Sequence, residues 1–325
     1  MKRIFYLCLF LTSLQSQHTF SIVAVDTITG EVGSAGATCL SINREGYEAL
    51  IISKLHPGIG AIHTQSYWNS FNQDVASEMM LAGMNSQEII DNLVQFDVDN
   101  NPSIRQYGIV HLNKNKQPDA AAYTGDNCLS EKKHKEGRFY SIQGNILLGE
   151  YIIDSMESRF LRSNGTLANR LMESMKGALV AGADARCLPE GISSRSSFLR
   201  VAKPNDSLKY FLDIHVPSTR AKIDPIDSLE TLYKKWLKTQ SIVVNKESDI
   251  WVHYFPQEKV FQIYGLQNPQ TITFSLFNLD GREFSEIVRL TEDKFKLKAE
   301  PLAGIYILRI IDDLNKILVK KILIP

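Results

Sequence analysis

Six polar residues stand inside otherwise apolar stretches: Arg105, Gln106, Gln143, Asn145, Asp184 and Arg186. Side chains of these types can do chemistry. The amides of Gln143 and Asn145 can donate to a developing oxyanion. The guanidinium of Arg105 or Arg186 can grip a substrate carboxylate as a two-pronged fork. Thr64 and Gln65, at the end of an expected strand, can line the same cleft. The competing use of all these groups is internal: they satisfy buried backbone or pair with one another, as Asp184 and Arg186 are spaced to do. A hydroxyl opens the earliest regular stretch, Thr19-Phe20-Ser21-Ile22-Val23-Ala24. There Phe20, Ile22 and Ala24 alternate with Thr19, Ser21 and Val23, the period of a strand with one face in a core. Residues 26–30 supply turn chemistry, and 31–38 read as a small, glycine-rich return strand. Cys39 follows, as a candidate thiol nucleophile or a small buried hydrophobe.

The rest of the chain must hold these groups in place. Residues 49–53 and 60–66 read as strands around the turn His56-Pro57-Gly58. Residues 72–82 and 85–96 read as helices, and Asn85 with Glu88 has capping-box spacing. A hairpin is expected over 107–112 and 120–124, and the charged segment 131–138 reads as a solvated loop. The run 141–149 reads as a buried strand leading into a helix over 150–161, and a second helix covers 166–179. Their Met and Leu stripes are core. Strands at 194–201 and 208–216 precede a helix through 237 with Pro225 at its first position. Beyond about residue 239 only short strands recur, with turn signals between them, which argues for a small β-sandwich.

Bulk properties narrow the function. Lys+Arg and Asp+Glu each total 36, so no net field favours nucleic acid or an anionic membrane. Residues 1–17 carry Lys2 and Arg3 and then an apolar run over 4–14, too short to span a bilayer, which reads as a secretory leader. Removing it leaves Cys39, Cys128 and Cys187, an odd number, so one thiol stays free within a monomer. A Cys128–Cys187 bridge is one of three open pairings. No metal-ligand spacing or phosphate-binding glycine loop is present, so neither metal nor organic cofactor is expected.

Six stretches in order resemble the DUF1028 family, placed among the N-terminal nucleophile (Ntn) hydrolases. They are Thr19 to Ala24; Gly58-Ile59-Gly60-Ala61 with Thr64-Gln65; Arg105-Gln106-Tyr107-Gly108-Ile109-Val110; Tyr123-Thr124-Gly125; Gln143-Gly144-Asn145-Ile146-Leu147-Leu148-Gly149; and Gly182-Ala183-Asp184-Ala185-Arg186. The resemblance implies an α+β fold, a four-layer αββα sandwich, with the mature N-terminal residue as nucleophile and its own α-amine as base. A threonine hydroxyl is a poor nucleophile without a base, and a free α-amine, with a pKa of about 7.7–8.0, can serve. That makes Thr19 and Asn145 the expected catalytic pair. Thr64, Gln65, Arg105, Gln106, Gln143, Asp184 and Arg186 are expected around the substrate. Lys54 is a further candidate, for tuning the nucleophile. Cleavage directly after His18 suits signal peptidase poorly, so trimming or self-processing is needed to expose Thr19.

The C-terminal stretch resembles the type A sorting domain of the Bacteroidetes type IX secretion system. The matching residues are Phe277-Asn278-Leu279-Asp280-Gly281-Arg282, Leu302-Ala303-Gly304-Ile305-Tyr306-Ile307-Leu308-Arg309 and Lys320-Lys321-Ile322-Leu323-Ile324. The expected plan is a leader over 1–18, an Ntn-like domain over 19–240 and a β-sandwich sorting domain over 241–325. The expected function is a secreted or cell-surface amide hydrolase acting on a small amide or peptide-like substrate. It has the secretion machinery as a partner, no nucleic acid or membrane span, and room for a homodimer. The alternative is a non-catalytic extracellular protein that binds cell-wall fragments or peptides on the same fold.

Overall fold

The computed structural model describes residues 16–17 and 19–240. Beyond them it describes the strand segments 251–255, 260–264, 272–278, 283–288, 294–295, 304–312 and 317–324. The apolar run of the expected leader lies outside the described residues, as do the turns between the C-terminal strands. The chain divides into two compact units, Met1–Lys234 and Lys235–Pro325. The division falls inside a helix rather than after it.

In the first unit the strands are β1 (Ser16–Gln17), β2 (Thr19–Val25), β3 (Val32–Thr38), β4 (Ser53–His56), β5 (Gly60–Tyr67), β6 (Arg105–Leu112), β7 (Pro118–Thr124), β8 (Lys133–Gly137), β9 (Tyr140–Gly144), β10 (Ser196–Ala202) and β11 (Leu212–Val216). The helices are α1 (Ile42–Glu45), α2 (Ser70–Leu81), α3 (Ser86–Gln95), α4 (Tyr151–Arg162), α5 (Leu167–Gly177) and α6 (Pro225–Gln240). The capping box expected at α3 is formed: the Glu88 N–H donates to Asn85 Oδ1 at 3.0 Å, and the Asn85 N–H donates to Glu88 Oε2 at 2.9 Å. Two expectations change. Residues Ala49–Ile52 wind into a 3₁₀ turn instead of opening a strand. The charged segment 131–138 is not a loop, because Lys133–Gly137 pairs along β9 as the sheet's outer strand. Its charges sit at a sheet edge, where they discourage further pairing.

Among the described residues all strand pairs are antiparallel. The first sheet runs β1-β5-β6-β7, with β4 also on β5, and the second runs β11-β10-β3-β2-β9-β8. The two sheets face each other through Val23, Val25, Val32 and Ala202 on one side and Leu55, Ala61, Val110 and Leu112 on the other. On the far face of the first sheet, Ile62, Tyr107, Ile109 and Ala121 pack on Ala76 and Met80 of α2 and Ile89, Ile90 and Leu93 of α3. On the far face of the second, α5 lies so close that a Cβ on Gly33 would fall 2.5 Å from Leu171. Both faces of β2 are therefore buried, not one. The alternation in its sequence separates an apolar helix-side face from a more polar inter-sheet face.

The second unit contains a sheet β12-β13-β16 and a sheet β15-β14-β17-β18, the strands being Trp251–Phe255, Val260–Tyr264, Ile272–Asn278, Glu283–Val288, Lys294–Phe295, Gly304–Asp312 and Ile317–Ile324 for β12 to β18. Phe261 of β13 and Phe274 of β14 bring their rings to 5.1 Å, so the two sheets share buried apolar side chains.

Candidate active site

The space between the first unit's sheets changes character along the strands. One end is the aliphatic cluster just described. The other, where β2 begins, is a layer of buried polar side chains: Thr19, Ser21, Ser34, His63, Gln65, Gln106, Ser141, Gln143 and Asn145 are all at most 1% exposed. Strand geometry puts them there. In β2, residues 19 and 21 share the inter-sheet face. Across the sheet Ser21 lies opposite Gln143 of β9, and Thr19 lies opposite Thr38 of β3. From the facing sheet, His63 and Gln65 alternate along β5.

Polar groups this deep must satisfy one another, and the direction of each hydrogen bond can be worked out from fixed acceptors. The Gln106 Nε2 donates to the Gly144 carbonyl at 2.9 Å, so its Oε1 faces the other way. That oxygen accepts from Gln65 Nε2 at 2.8 Å and Asn145 Nδ2 at 2.9 Å. Gln65 Nε2 also donates to the Thr19 carbonyl at 3.0 Å, which leaves Gln65 Oε1 to accept from Ser21 Oγ at 2.6 Å. With its one proton spent, Ser21 Oγ accepts from Gln143 Nε2 at 2.7 Å and from His63 Nδ1 at 2.9 Å. His63 therefore carries its proton on Nδ1. Its Nε2 accepts from Ser34 Oγ at 2.5 Å, and Ser34 Oγ accepts from Ser53 Oγ at 2.8 Å. Complete burial, with the nearby Arg200 charge adding to it, lowers the His63 pKa to about 3. The ring is neutral at physiological pH, as this pattern of one donor and one acceptor requires.

This layer ends at Thr19. Its carbonyl accepts from Gln65 Nε2 and from the Asn145 backbone N–H at 3.2 Å. The next residue, Ile146, has φ of 50°, and Ser66, beside Gln65, has φ of 72°. Left-handed backbone is costly at a non-glycine residue, above all a β-branched one. Both strained residues adjoin groups that hold Thr19. From the other side come Asp184 and Arg186. Arg186 Nη2 donates to Asp184 Oδ2 at 2.7 Å and to Thr38 Oγ1 at 3.2 Å, on the strand position opposite Thr19. Asp184 Oδ2 also accepts from the Cys39 N–H at 2.8 Å. A Cys39–Cys187 disulfide, with Cα atoms 5.8 Å apart, fastens this loop to the end of β3. That settles the pairing among the three, leaves Cys128 buried and free, and removes Cys39 as a nucleophile.

Other expected site residues are placed elsewhere. Thr64 points to the opposite face of β5, where its Oγ1 accepts from Gln73 of α2 at 3.1 Å. Arg105 is buried at the start of β6. It donates to Asp97 at 2.8 Å, to Asp99 and to the Tyr67 carbonyl, so its fork is filled from within. Burial pushes the Asp97 carboxyl up, but Arg105, the Asn101 N–H and Asn72 together hold it below the usual carboxylate range. Lys54 lies at the surface, 3.1 Å from Asp74. Gln65, Gln106 and Gln143 belong to the layer that holds Thr19. Sequence reasoning does not single out Ser21, Ser34, Ser53, Thr38 and His63. A polar pair at i and i+2, His63 and Gln65, within a strand buried on both faces is the available signal. Among the described residues no cluster of potential metal ligands occurs, and no helix is long and apolar enough to cross a membrane.

The family model described as "Family of unknown function (DUF1028)" matches residues 19–229, beginning at Thr19 itself. The chain belongs to this family. A crystal structure of a DUF1028 protein from Silicibacter pomeroyi superposes with a TM-score of 0.53 at 21% identity, covering 67% of this chain and 88% of that one. At that identity the likeness is one of fold. Anbu (ancestral beta-subunit) from Yersinia bercovieri is a more distant match, with a TM-score of 0.37 and 10% identity over 71% of this chain and 99% of that one. No curated protein matches the sequence.

Proposed function

We propose that the first unit is an N-terminal nucleophile amide hydrolase on a four-layer αββα sandwich, with Thr19, freed from the residues before it, as nucleophile. One observation carries this reading: the residue at which the family begins is also the residue that the polar layer holds, by two donors on its carbonyl. Fixing that peptide plane anchors the backbone from which the Thr19 amine and hydroxyl project. Once the bond before Thr19 is cut, the neutral amine accepts the hydroxyl proton. Oγ then attacks an amide carbonyl, and the tetrahedral intermediate collapses to an ester. The amine leaving group departs with the proton, and water hydrolyses the ester. Asn145 is the proposed oxyanion donor, a role worth about 3–4 kcal/mol of transition-state stabilisation per donor. Arg186, held by Asp184 beside Thr38, is the proposed anchor for a substrate carboxylate. The intact chain is the precursor in this account, because Thr19 is fully buried while residues precede it.

The substrate class is a small amide or peptide-like molecule outside the cell. The leader-like residues 1–18 and the Cys39–Cys187 disulfide, which suits an oxidising compartment, support export. The C-terminal strands, by their likeness to a type IX sorting domain, supply the address for passage across the outer membrane. The test is turnover of an amide library by the protein matured to Thr19. Thr19→Ala should abolish it with little change in melting temperature, and Thr19→Ser should retain part. A Thr19→Ala variant as active as the parent would end the proposal.

A further inference from the structure

We infer that Lys132 is a positioning residue for the acylation of Thr19: its ammonium group ties together the loop of residues 125–132, and that loop holds in place the segment carrying Asn145. The inference rests on the reading of Thr19 as nucleophile and Asn145 as oxyanion donor. It starts from the surroundings of one side chain. The half-buried Lys132 donates from Nζ to the carbonyls of Cys128 at 2.9 Å, Gly125 at 3.4 Å and Asp126. An ammonium has three N–H donors, and here three main-chain oxygens receive them. Lys133 and Lys135, its neighbours in sequence, face a carboxylate of α4 instead, each 3.0 Å from Asp154. The loop is built to turn these oxygens toward Lys132. The N–H groups of Gly125 and Asn127 are spent on the carbonyls of Arg105 at 2.9 Å and Ser103 at 2.8 Å. Gly125 lies so close that a Cβ there would fall 2.2 Å from the Ser103 carbonyl oxygen. Lys132 thus acts as a built-in cation for the loop.

What the loop holds makes this more than a surface clamp. The Glu131 carbonyl, next to Lys132, accepts from the Leu147 N–H at 3.0 Å. The Lys133 carbonyl accepts from Gln106 Nε2 at 3.4 Å. From the other side the Ala185 N–H donates to the Ile146 carbonyl at 2.9 Å, and the Leu148 N–H donates to the Ala183 carbonyl at 3.2 Å. Residues 145–148 are therefore gripped between the 125–132 loop and the loop that carries Asp184 and Arg186. Ile146, with its φ of 50°, sits in the middle of that grip. Strained backbone persists only where its surroundings over-determine it, and Glu131 is one of the few contacts that do so here. Asn145, immediately before Ile146, holds the Thr19 carbonyl through its backbone N–H at 3.2 Å and bonds Gln106 Oε1 through Nδ2 at 2.9 Å. A loosened 125–132 loop lets the 145–148 segment relax, and the Asn145 amide moves with it. A shift of about 1 Å in a positioned group can cost about a hundredfold in rate.

The test has two readouts. The first is hydrogen exchange of residues 145–148 in the intact chain, which needs no activity. Lys132→Met should speed exchange of the Leu147 N–H about tenfold. In Lys132→Ala, added propylammonium should restore the protection, and tetramethylammonium, which has no N–H, should not. The second readout is acylation of Thr19 by a β-lactone, on chains released at Thr19 from a cleavable fusion so that maturation is not a variable. Lys132→Met should lower the limiting acylation rate about tenfold to a hundredfold, with little change in the half-saturating concentration. In an Asn145→Ala background the same substitution should have almost no further effect, because residues acting through one another do not add. Lys135→Met, which removes a nearby charge, should match the parent in both readouts. Where Lys132→Met fails to fold, Lys132→Arg carries the comparison, since a planar guanidinium keeps the charge but does not fit three converging carbonyls. Unchanged exchange, a parental acylation rate, or rate losses that multiply with Asn145→Ala would each overturn the inference. The expected exchange pattern in a parent that the lactone does not acylate at Thr19 would sink the hydrolase reading. Acylation of the parent and of the Lys132 variants at one rate would sink the role of Lys132 alone.

Discussion

His63 makes a quantitative demand on the protein's stability. Its ring is fully buried and neutral, with a pKa lowered to about 3, whereas an exposed imidazole titrates at about 6.5. Between those values the unfolded chain binds a proton that the folded chain refuses, so folding stability rises with pH across the window and falls on acidification. At pH 4.5 the unfolded state is favoured by two pH units of this difference, which at about 1.4 kcal/mol per unit is about 3 kcal/mol for this one residue. Other groups titrate in the same range, so the parent is compared with His63→Gln, whose amide can donate to Ser21 and accept from Ser34 without titrating. Urea unfolding at pH 7 and pH 4.5 and constant salt, followed by hydrogen exchange of β5 peptides, isolates the first unit. The parent should lose about 3 kcal/mol more than the variant between the two pH values. Equal losses would mean that the imidazole is solvated or charged in the folded protein, and the directional hydrogen-bond chain would be wrong.

Three further outcomes follow from the same geometry. A Cβ on Gly108 would lie 2.0 Å from Gln143 Oε1; because Gln143 is held by Ser21 and Ser141, Gly108→Ala should cost about 1–3 kcal/mol in a thermal melt, and an unchanged melting temperature would show that the layer can repack. The Cys39–Cys187 bridge spans 148 residues of sequence; replacing both cysteines by serine should cost about 2–5 kcal/mol and slow acylation of Thr19, and loss of stability alone would separate the Arg186 loop from function. In the matured protein the acylation rate should rise with pH through about 7.7–8.0, as the Thr19 amine loses its proton; a midpoint near the ordinary imidazole value would assign the base to a histidine.

The capping box at Asn85, the start of α6 at Pro225 and the hairpin from β2 to β3 are all legible in the sequence, because each depends on neighbours a few residues away. The polar layer is legible only in part. Gln106, Gln143 and Asn145 are conspicuous within apolar runs. Ser21, Ser34 and Ser53 are not, since a serine in a strand is as common on a solvated face, and their burial depends on two sheets meeting. Arg105 shows the opposite error. Its type suits an anion site, but Asp97 and Asp99, close in sequence, fill its fork. Thr64 misses the site by one step of strand alternation: its neighbours at 63 and 65 face it. The Cys39–Cys187 pairing depends on how the 185–190 turn folds back on β3, which no local pattern records.

The central claim is that Thr19 becomes a free N-terminal residue and the nucleophile. It is tested most directly by mass spectrometry of the naturally matured protein after treatment with a β-lactone, an acylating probe for activated hydroxyls. The expected result is an N-terminus at Thr19 and a single acyl adduct on that residue, absent in Thr19→Ala. An active protein that still carries Gln17 and His18, or an adduct that persists on another residue when Thr19 is replaced, would contradict it.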